Sequence, residues 1–554
     1  ETKLSELAEL CSTLRIKETS IISQLKELEL LKETLCNANV SEHINLIEKA
    51  ESVGKQIFKT LHIDEEIFNA YGLLFLDTSY APKNVPITST EFKKLEHAIV
   101  NTYMIDTAYF EKENIRYKYY EFKAKHPDKD IYLVDFYRYY YDSFYKGFKD
   151  AQEMGGNDDH IRNPLGLNSI EHIRDEVHTK QTSRLNRSTK DDEGTRYYPI
   201  TNEEYPTESE KPSVSVALYA QKATINNRTF FVMNSNLSGG YGQWISRFTR
   251  IFSNEFTESI HKRNNSYSIE KASISCSNFF NANIHKPILN HGVLYPNSVP
   301  STHAKWSIAD ITIDDYQGRP VLMVNQTPID FLHMGFQFIN GMPPLYQLMT
   351  HFNSSAAKQI SMIEAAEQID EFVSLHPRQV LGDALIIKRK TWETKRSYFQ
   401  SEDYLELLKF KETYALPNRV FYQFILSEEE RSNPVKSDGT PAKKQIHKPK
   451  YMDFYNPTSV RCFFQHIKHM PYDIDFTEML PDIEHMEEDH VTEHIFQINY
   501  ENKSYSHSKN KPISENEKWL SFFIYVSKDK TNQMLVDTLK PVFQYAKKTS
   551  IPLF

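Results

Sequence analysis

The segment "LSGGYGQWISRF" (237–248) places three glycines directly ahead of an arginine-bearing stretch. The residues before it, "TFFVMNSN" (229–236), read as a strand, and helical spacing follows the glycines to about Lys262. The free N–H groups at a helix start favour an anion, and Arg247 and Arg250 would add two cations within about two turns. The pattern indicates a phosphate or carboxylate site. The alternative is a solvated helix face after a flexible turn.

A helical projection divides the side chains that follow the glycines into two faces. The apolar face holds Trp244, Ile245, Phe248, Ile251, Phe252 and Phe256. The opposite face holds Gln243, Arg247, Arg250 and Asn254. Arg247 and then Arg250 are therefore the first candidates to contact the anionic group of a substrate, and Gly240, Gly242 and Gln243 are candidates for substrate binding beside them. The loop is not a dinucleotide fingerprint, because G-x-G-x-x-G is absent.

Two basic segments further along the chain are candidates for binding a nucleic acid. The first contains Lys388, Arg389, Lys390, Trp392, Lys395 and Arg396, and the second contains Lys443, Lys444, Lys448 and Lys450. On a strand, alternation would put Lys388 and Lys390 on one face, with Trp392 beside them for base stacking. Solvated edge-strand lysines and an ordinary surface loop are the respective alternatives.

The stretch "KPKYMDF" (448–454) brings Lys448, Tyr451 and Asp453 together, and such a group could bind a polar substrate. A structural turn with a buried tyrosine is the stronger interpretation. Asp310, in "SIADITI", is interpreted as support for a strand end.

Other reactive residue types are arranged without a recognisable site. His485, His490 and His494 do not form H-E-x-x-H and lie in an acidic segment, so a solvated helix is favoured over a metal site. Ser238 lacks the G-x-S-x-G context of a nucleophile. The four cysteines never form a CxxC pair, which argues against a zinc ribbon or a disulfide framework.

Composition bounds the class of protein. The 554 residues suggest two to four domains or one large interwoven unit, and 40% apolar residues can form a core. The net charge of −9 argues against a surface that binds nucleic acid everywhere, but it leaves room for a local basic patch. Neither a signal peptide nor an apolar run of about 18 residues is found, which favours the cytosol.

The elements that would position these residues form an α+β fold. A heptad seam from Leu4 to Leu35 predicts a long helix, and a second helix to about Leu61 with Ser41 as its N-cap predicts an antiparallel pair. A buried strand is predicted at 70–82 and a helix at 90–125, while 130–148 fits helix or strand. Strands are predicted at 214–220, 229–232, 307–313 and 320–324.

The domain organisation follows from these elements. We predict a helical region at 1–150, a polar loop or linker at 151–212, an α+β core at 213–500 and a further segment at 501–554. Within the linker, "RSTKDDEG" (187–194) is close to a disordered composition, although 169–180 could hold a helix.

Segments in a fixed order resemble the lantibiotic dehydratase family, in the domain that handles glutamyl-tRNA. "FFVMNSNLSGGYGQWISRF" (230–248) resembles the family's strand, glycine loop and SRF helix. "HPRQVLGDALIIKRKTW" (376–392), "ALPNRVFYQF" (415–424), "KPKYMDFYNPTSV" (448–460) and "FTEMLPD" (476–482) are similar to its later motifs. The resemblance covers 230–482 well and the first 210 residues weakly.

The resemblance implies transfer of an amino acid from aminoacyl-tRNA to a ribosomally made precursor peptide. Such a reaction either places glutamate on Ser or Thr before elimination, or uses ATP to extend the peptide's C-terminus, as peptide aminoacyl-tRNA ligases do. It implies aminoacyl-tRNA as co-substrate, a leader captured by strand addition, and a separate elimination or tailoring enzyme. No metal is implied, a homodimer is left open, and an inactive binding partner with the same fold is the alternative.

Two departures and the chain ends qualify the resemblance. Gln243 stands where the family's G-x-G-R pattern has arginine, and no R-x-T-P-F-G-L segment is found near the N-terminus. Because the chain opens with Glu1 in a helical pattern, we expect residues in front of it. The last residues, 517–554, resemble the start of the family's elimination domain and then stop.

Overall fold

The structure is a computed structural model in which the following parts of the chain are described: 19–62, 87–153, 163–201, 214–250, 254–266, 269–274, 285, 287–295, 304–316, 318–336, 339–353, 358–360, 366–399, 402–425, 448–470, 472–483 and 492–500. The strand predicted at 70–82 and the segment 501–554 therefore lie outside the described residues.

The described helices are α1 (Thr19–Asn37), α2 (Val40–Thr60), α3 (Ser89–Val100), α4 (Tyr109–Lys125), α5 (Leu133–Tyr140), α6 (Lys146–Glu153), α7 (Asn168–Arg187), α8 (Asn254–Asn264), α9 (Pro344–His351), α10 (Tyr404–Thr413) and α11 (Pro457–His469). A π-helical turn, Tyr141–Tyr145, joins α5 to α6. Short 3₁₀ helices occur at Gln243–Arg250, Ile308–Asp310, Ile339–Gly341 and Arg396–Tyr398.

The described strands are β1 (Met104–Asp106), β2 (Ile131–Tyr132), β3 (Thr189–Lys190), β4 (Arg196–Tyr198), β5 (Val214–Ile225), β6 (Arg228–Ser238), β7 (Glu270–Ile274), β8 (His291–Leu294), β9 (Ala304–Ser307), β10 (Thr312–Tyr316), β11 (Arg319–Val324), β12 (Thr327–Phe331), β13 (Lys358–Ile360), β14 (Glu367–Gln368), β15 (Val373–His376), β16 (Gln379–Leu381), β17 (Leu385–Lys388), β18 (Thr391–Thr394), β19 (Arg419–Ile425), β20 (Lys450–Asp453), β21 (Asp473–Glu478) and β22 (His494–Tyr500).

These strands form three large sheets and one small one. The β6 sheet has the order β22-β5-β6-β17-β16-β4-β3, and the β11 sheet has the order β2-β10-β11-β12-β7-β8-β9. The β18 sheet has the order β14-β15-β18-β21-β19-β20, and β1 pairs with β13. The predicted α+β class is confirmed, and helices pack on the sheets rather than alternating with strands.

The N-terminal helical pair is confirmed. Leu25 and Leu28 of α1 pack against Ala50 and Val53 of α2 in one apolar cluster. The N-cap of α2 is Asn39, not Ser41, because the Asn39 side chain accepts the Glu42 N–H while the Glu42 carboxylate accepts the Asn39 N–H. This reciprocal capping box satisfies two donors that Ser41 would leave open.

Two predicted elements take a different form. The helix predicted at 90–125 is divided into α3 and α4 by β1, which pairs with β13. The polar segment 151–212 is not a linker where it is described: it contains α7 and the β3–β4 hairpin, which joins the β6 sheet. Polar composition misleads here because buried Arg184 donates to the Tyr103 carbonyl, at 3.2 Å, instead of facing solvent.

Among the described residues, no helix is both long and apolar enough to cross a membrane.

Candidate functional site at the glycine turn

The central β6 strand leads directly into the glycine turn, residues 239–242, and then into the 3₁₀ helix Gln243–Arg250. β6 pairs antiparallel with β5 up to Ser238 and parallel with β17 at Phe231 and Val232, so β5 holds the end that leads into the turn. The strand, glycine turn and helix order predicted from the sequence is therefore present. A 3₁₀ helix, rather than an α-helix, carries Arg247.

Close packing explains the glycines of this turn. A Cβ on Gly240 would collide with the Met334 sulfur. Gly242 has φ +89° and lies where a Cβ would be 2.8 Å from a methyl group of Ile260. Only glycine adopts that φ at low cost, so the turn depends on it.

The N–H groups of the turn bond within the protein. The Gly242 N–H donates to Gln497 Oε1 at 3.1 Å, and the Gln243 N–H donates to the Gly240 carbonyl at 3.0 Å. The Ile245 N–H donates to the Gly242 carbonyl at 3.3 Å. These three N–H groups are therefore already used and are not free for the predicted anion.

The period of the 3₁₀ helix reverses the predicted orientation of Gln243. With three residues per turn, Gln243, Ser246 and Thr249 fall on one face, and all three are buried. Gln243 is 2% exposed, and its Nε2 donates to the Gly335 carbonyl at 3.0 Å. The α-helical period of 3.6 placed it on the solvent face, which is incorrect.

Arg247 lies between this buried face and solvent. Its side chain is half-buried, and its guanidinium carbon is 5.9 Å from the centre of the Phe248 ring. Trp244 and Ile245 beside it are buried, as predicted. The side chain of Arg250 lies outside the part of the chain that the structure describes.

Buried polar groups surround the glycine turn. Asn264 Nδ2 donates to the Tyr241 carbonyl at 3.0 Å, from the end of α8. Within the described residues, Gln243 Oε1, Ser246 Oγ, Asn264 Oδ1 and Gln497 Nε2 are buried without a hydrogen-bond partner. The turn is thus held by side chains of α8 and β22 that retain unused hydrogen-bonding capacity.

The first basic segment crosses from one sheet to another. Lys388 ends β17 of the β6 sheet, and Thr391 begins β18 of the β18 sheet. A single alternating strand, as predicted, does not exist here. The Lys390 N–H donates to Glu478 Oε1 at 2.8 Å, which fixes the crossing point.

The structure contradicts the prediction that Trp392 stacks on a base. The side chain is 2% exposed, and its Nε1 donates to the Tyr414 carbonyl at 2.9 Å. The Lys390 ammonium lies 5.2 Å from the ring centre. Trp392 is a core residue of the β18 sheet, and the sequence could not show this because the strand alternation restarts after the crossing.

The two arginines of this segment hold the fold together instead of facing a ligand. Arg389 donates to the Leu480 carbonyl and to Asn234 Oδ1 at 2.9 and 2.8 Å, and burial lowers the pKa of its guanidinium. Arg396 donates to the Ile467 and Met470 carbonyls at 3.2 and 3.3 Å. Because these bonds occupy both guanidinium groups, the predicted contact of Arg389 and Arg396 with tRNA is not supported. Lys395, in contrast, is exposed. Lys443 and Lys444 lie outside the described residues.

The "KPKYMDF" stretch forms the edge strand β20. Lys448 is exposed just before it, and Tyr451 is 42% exposed, so the expected burial of this tyrosine is wrong. The Asp453 carboxylate accepts the Tyr455 N–H at 2.9 Å and lies 3.5 Å from Arg419 Nε, as expected for a structural turn. Asp310 likewise caps a turn by accepting the Ser307 N–H.

With this geometry established, known proteins can be compared. No protein-family model and no curated protein matches the chain. The solved TbtB glutamylation domain from thiomuracin biosynthesis is similar, with 16% identity over 73% of this chain and 49% of that one, at a TM-score of 0.50.

This chain has the fold of the TbtB glutamylation domain.

Two further solved structures are similar to this chain. The TbtB glutamylation domain bound to 5'-phosphodesmethylglutamycin has 16% identity, a TM-score of 0.49, and coverage of 71% of this chain and 46% of that one. MibB, a tRNA-dependent lantibiotic dehydratase from Microbispora sp. 107891, has 12% identity, a TM-score of 0.38, and coverage of 55% and 30%. The chain thus spans about half the length of the TbtB structures.

Sequence reasoning missed residues of this glutamylation-domain fold that act over long distances along the chain. Gln497 reaches Gly242 from β22, and Glu478 reaches Lys390 from β21. Arg419 lies between Asp453 and Asp482, 3.3 Å from the latter. A lone glutamine in a strand gave no signal, whereas Glu478 lies inside the recognised "FTEMLPD" segment.

A cavity of about 280 Å³ lies at the opposite end of β6 from the glycine turn, and it is lined in part by Arg228, Phe230 and Arg378. At about 3.3 Å per residue, the eleven residues of β6 separate the two ends by roughly 30 Å. The cavity is therefore distinct from the surroundings of Arg247. Within the described residues, no group of three or more His, Cys, Asp and Glu side chains could hold a metal ion.

Proposed function

We propose that this protein transfers an amino acid from aminoacyl-tRNA to a ribosomally synthesised precursor peptide. The observation that carries the proposal is the glutamylation-domain fold, found over 73% of the chain. The ordered motifs at 230–482 support it independently, because they fall on the elements around the glycine turn and the sheet crossing.

The reaction requires mainly that the enzyme position its two substrates. An aminoacyl ester is already activated, so the enzyme must hold the tRNA 3′ end against the peptide nucleophile and stabilise the developing oxyanion. Arg247 is our first choice for that charge, because it projects from a helix whose start is fixed by Gly242 and Gln497. Arg250 remains our second choice.

We propose that lysines, rather than arginines, contact the tRNA along the sheet crossing. Lys388 and Lys395 retain this assignment, whereas Arg389 and Arg396 are bonded to backbone carbonyls. Lys390 keeps a weaker case, because its ammonium donates to the Glu193 carbonyl at 3.4 Å. Lys448 extends the basic surface on the β18 sheet. Contacts of this kind release counterions, so binding should weaken as salt is raised.

Two products are compatible with this proposal. Side-chain esterification of Ser or Thr needs no further energy input, because the tRNA ester is the activated group. Extension of a peptide C-terminus requires activation of the peptide carboxylate, for which ATP is the co-substrate. The two reactions are separated by omitting ATP and by alkaline hydrolysis, since an ester product is cleaved and an amide product persists.

A binding partner without transfer activity is the second candidate. It is favoured by Gln243, which stands where the resemblance places an arginine and is buried without a charge. The loss of one cation next to Arg247 weakens the case for glutamate as the transferred residue. Such a protein would bind the peptide or the tRNA and leave both unchanged.

The proposal is tested by filter binding of the purified chain to a tRNA pool, either charged with labelled amino acids or deacylated. An aminoacyltransferase retains charged tRNA more tightly than uncharged tRNA, and Arg247→Ala reduces that difference. Arg116→Ala, on the exposed face of α4, serves as the matched control. Equal retention of both tRNA forms by the wild-type chain would refute recognition of the aminoacyl group.

A further inference from the structure

The cavity at the first end of β6 has an apolar floor. Phe230, Val380 and Ile386 line it and are 4%, 1% and 0% exposed. Tyr197 and Ile225 are partly buried against the same small cluster. This cluster lies apart from the large core that β5 and β6 share with α3, so the floor belongs to the cavity alone.

The walls of the cavity are two connected turns. Asp191 Oδ1 accepts the Glu193 and Thr195 N–H groups at 3.1 and 2.7 Å, which fixes the β3–β4 turn. Asn226, in the β5–β6 turn, donates to Glu193 Oε1 at 2.9 Å. This bond joins the turns across the rim, so the opening is formed before any ligand arrives.

Arg228 occupies one side of the rim. Its guanidinium carbon lies 5.9 Å from the Tyr197 ring centre and 5.2 Å from the Phe230 ring centre. Among the described residues, no carboxylate lies within ion-pair distance of this exposed guanidinium. Stacking on the rings orients its donors without neutralising the charge.

The opposite side of the rim is acidic. Asp191, Asp192 and Glu193 are exposed there. Arg378, the other cation of the lining, is neutralised by a bidentate pair with Glu478. The rim therefore presents three carboxylates beside two cations, Arg228 and Lys390, whose ammonium donates to the Glu193 carbonyl at 3.4 Å. The remaining excess of negative charge favours an ammonium group over a phosphate.

We propose that this cavity binds an α-amino acid unit with a free ammonium group and an apolar side chain. The ammonium faces Asp192 and its neighbours, the carbonyl or carboxylate oxygen accepts from Arg228, and the side chain enters the apolar floor. A volume of about 280 Å³ lies below the usual range of sites for drug-sized ligands and suits this smaller unit. Free amino acid and the amino-terminal residue of a peptide share this chemistry.

The cavity is separate from Arg247 and the glycine turn, whereas Lys390 of the proposed tRNA surface lies beside the cavity rim. Roughly 30 Å of β6 lies between the cavity and the glycine turn, so the occupant does not touch Arg247. Binding here needs no tRNA and no turnover. Failure of this proposal would leave the transfer proposal standing, and the reverse also holds.

Isothermal titration of the full chain with L-leucine, L-leucinamide, N-acetyl-L-leucine and leucyl-glycyl-glycine tests the assignment. Leucine and leucinamide bind, whereas N-acetyl-leucine, which lacks the ammonium, binds at least about tenfold more weakly. Tighter binding of the tripeptide than of leucine identifies a peptide amino terminus as the source. Binding of leucine without the tripeptide identifies the free amino acid.

Variants locate the binding within the cavity. Arg228→Gln lowers the affinity for leucine about tenfold and lowers the affinity for leucinamide less, because only leucine carries a carboxylate. Asp192→Asn lowers the affinity for both ligands. Val380→Phe also lowers it, because the larger side chain fills the apolar floor of the cavity. Arg116→Gln and Asp128→Asn, at exposed positions of the α4 region, leave binding unchanged.

Several outcomes overturn the proposal. They are absence of binding up to the solubility limit of leucine, equal affinity for leucine and N-acetyl-leucine, or unchanged leucine affinity in Arg228→Gln. Because Arg228 and Asp192 are exposed, their substitution leaves folding intact, and circular dichroism verifies this.

Discussion

The Glu478 carboxylate accepts two hydrogen bonds from the Arg378 guanidinium, at 2.8 and 2.5 Å, and one from the Lys390 amide at 2.8 Å. Glu478 is 5% exposed. One carboxylate thus connects the entry of β16, the end of β21 and the point where the chain crosses between the two sheets. Its position orients Lys390 and Lys388 on the proposed tRNA surface.

Glu478→Gln should destabilise the protein by about 3 to 5 kcal/mol, because it leaves the buried Arg378 charge without its partner. Urea denaturation followed by circular dichroism measures the change. Asp128→Asn, at an exposed position, is the control and should shift the unfolding free energy by less than about 0.5 kcal/mol. A Glu478→Gln protein as stable as the control would show that the pair does not hold the crossing.

Gly242→Ala should cost about 2 to 3 kcal/mol of stability. Alanine at φ +89° is strained, and its Cβ would also meet the Ile260 methyl group. Gly318→Ala is the matched control, since Gly318 has φ +79° and open space around its Cα. Equal losses of unfolding free energy for the two substitutions would mean that the contact with Ile260 contributes nothing to the cost.

Trp392→Phe should destabilise the β18 sheet by about 1 kcal/mol and leave tRNA affinity unchanged. The change removes the hydrogen bond to the Tyr414 carbonyl, and the ring is buried too deeply to stack on a base.

The double substitution Lys388→Ala and Lys395→Ala should instead lower tRNA affinity and reduce the dependence of that affinity on salt concentration. Filter binding at several salt concentrations distinguishes these effects. Loss of tRNA affinity in a folded Trp392→Phe protein would restore the stacking role.

Glu111 should make stability depend on pH. Burial, with a smaller contribution from the nearby Asp106 charge, raises the pKa of its carboxyl from 4.5 to about 7. Between about pH 4.5 and 7 the unfolded chain has released the proton while the folded protein still holds it, so the unfolding free energy falls as pH rises. The loss amounts to about 3 kcal/mol above pH 7.

Glu111→Gln removes this titration. Relative to wild type, the variant should gain stability as pH is raised from about 4.5 to 8, by up to about 3 kcal/mol. Urea denaturation at a series of pH values measures the difference, with Glu113→Gln on the same helix as control, since the Glu113 carboxylate lies 3.5 Å from the Arg116 guanidinium. A difference between variant and wild type that stays constant across this range would contradict a raised pKa.

The parts of the fold that could be predicted from sequence are those governed by local periodicity. Leu25 and Leu28 repeat as expected of a helical pair, and the strands predicted at 214–220 and 229–232 lie within β5 and β6. Gln243 was misplaced because glycine-led helices need not be α-helical, and a change from 3.6 to 3 residues per turn moves a side chain to another face.

Features that depend on contacts distant in the chain could not be predicted. Gly242 and Gln497 are 255 positions apart, and their bond follows from the pairing of β22 with β5. Trp392 appeared accessible because one strand was assumed where the chain changes sheets. Arg247 was found from the glycine turn alone, and its role as a transfer residue stays a prediction.

The most direct test of aminoacyl transfer is the intact mass of a candidate precursor peptide after incubation with the purified protein, charged tRNA and ATP. The account predicts a peptide heavier by one amino acid residue, formed by the wild type and Arg116→Ala and strongly reduced in Arg247→Ala. A peptide that binds the protein and keeps its mass across the complete set of charged tRNAs would contradict it.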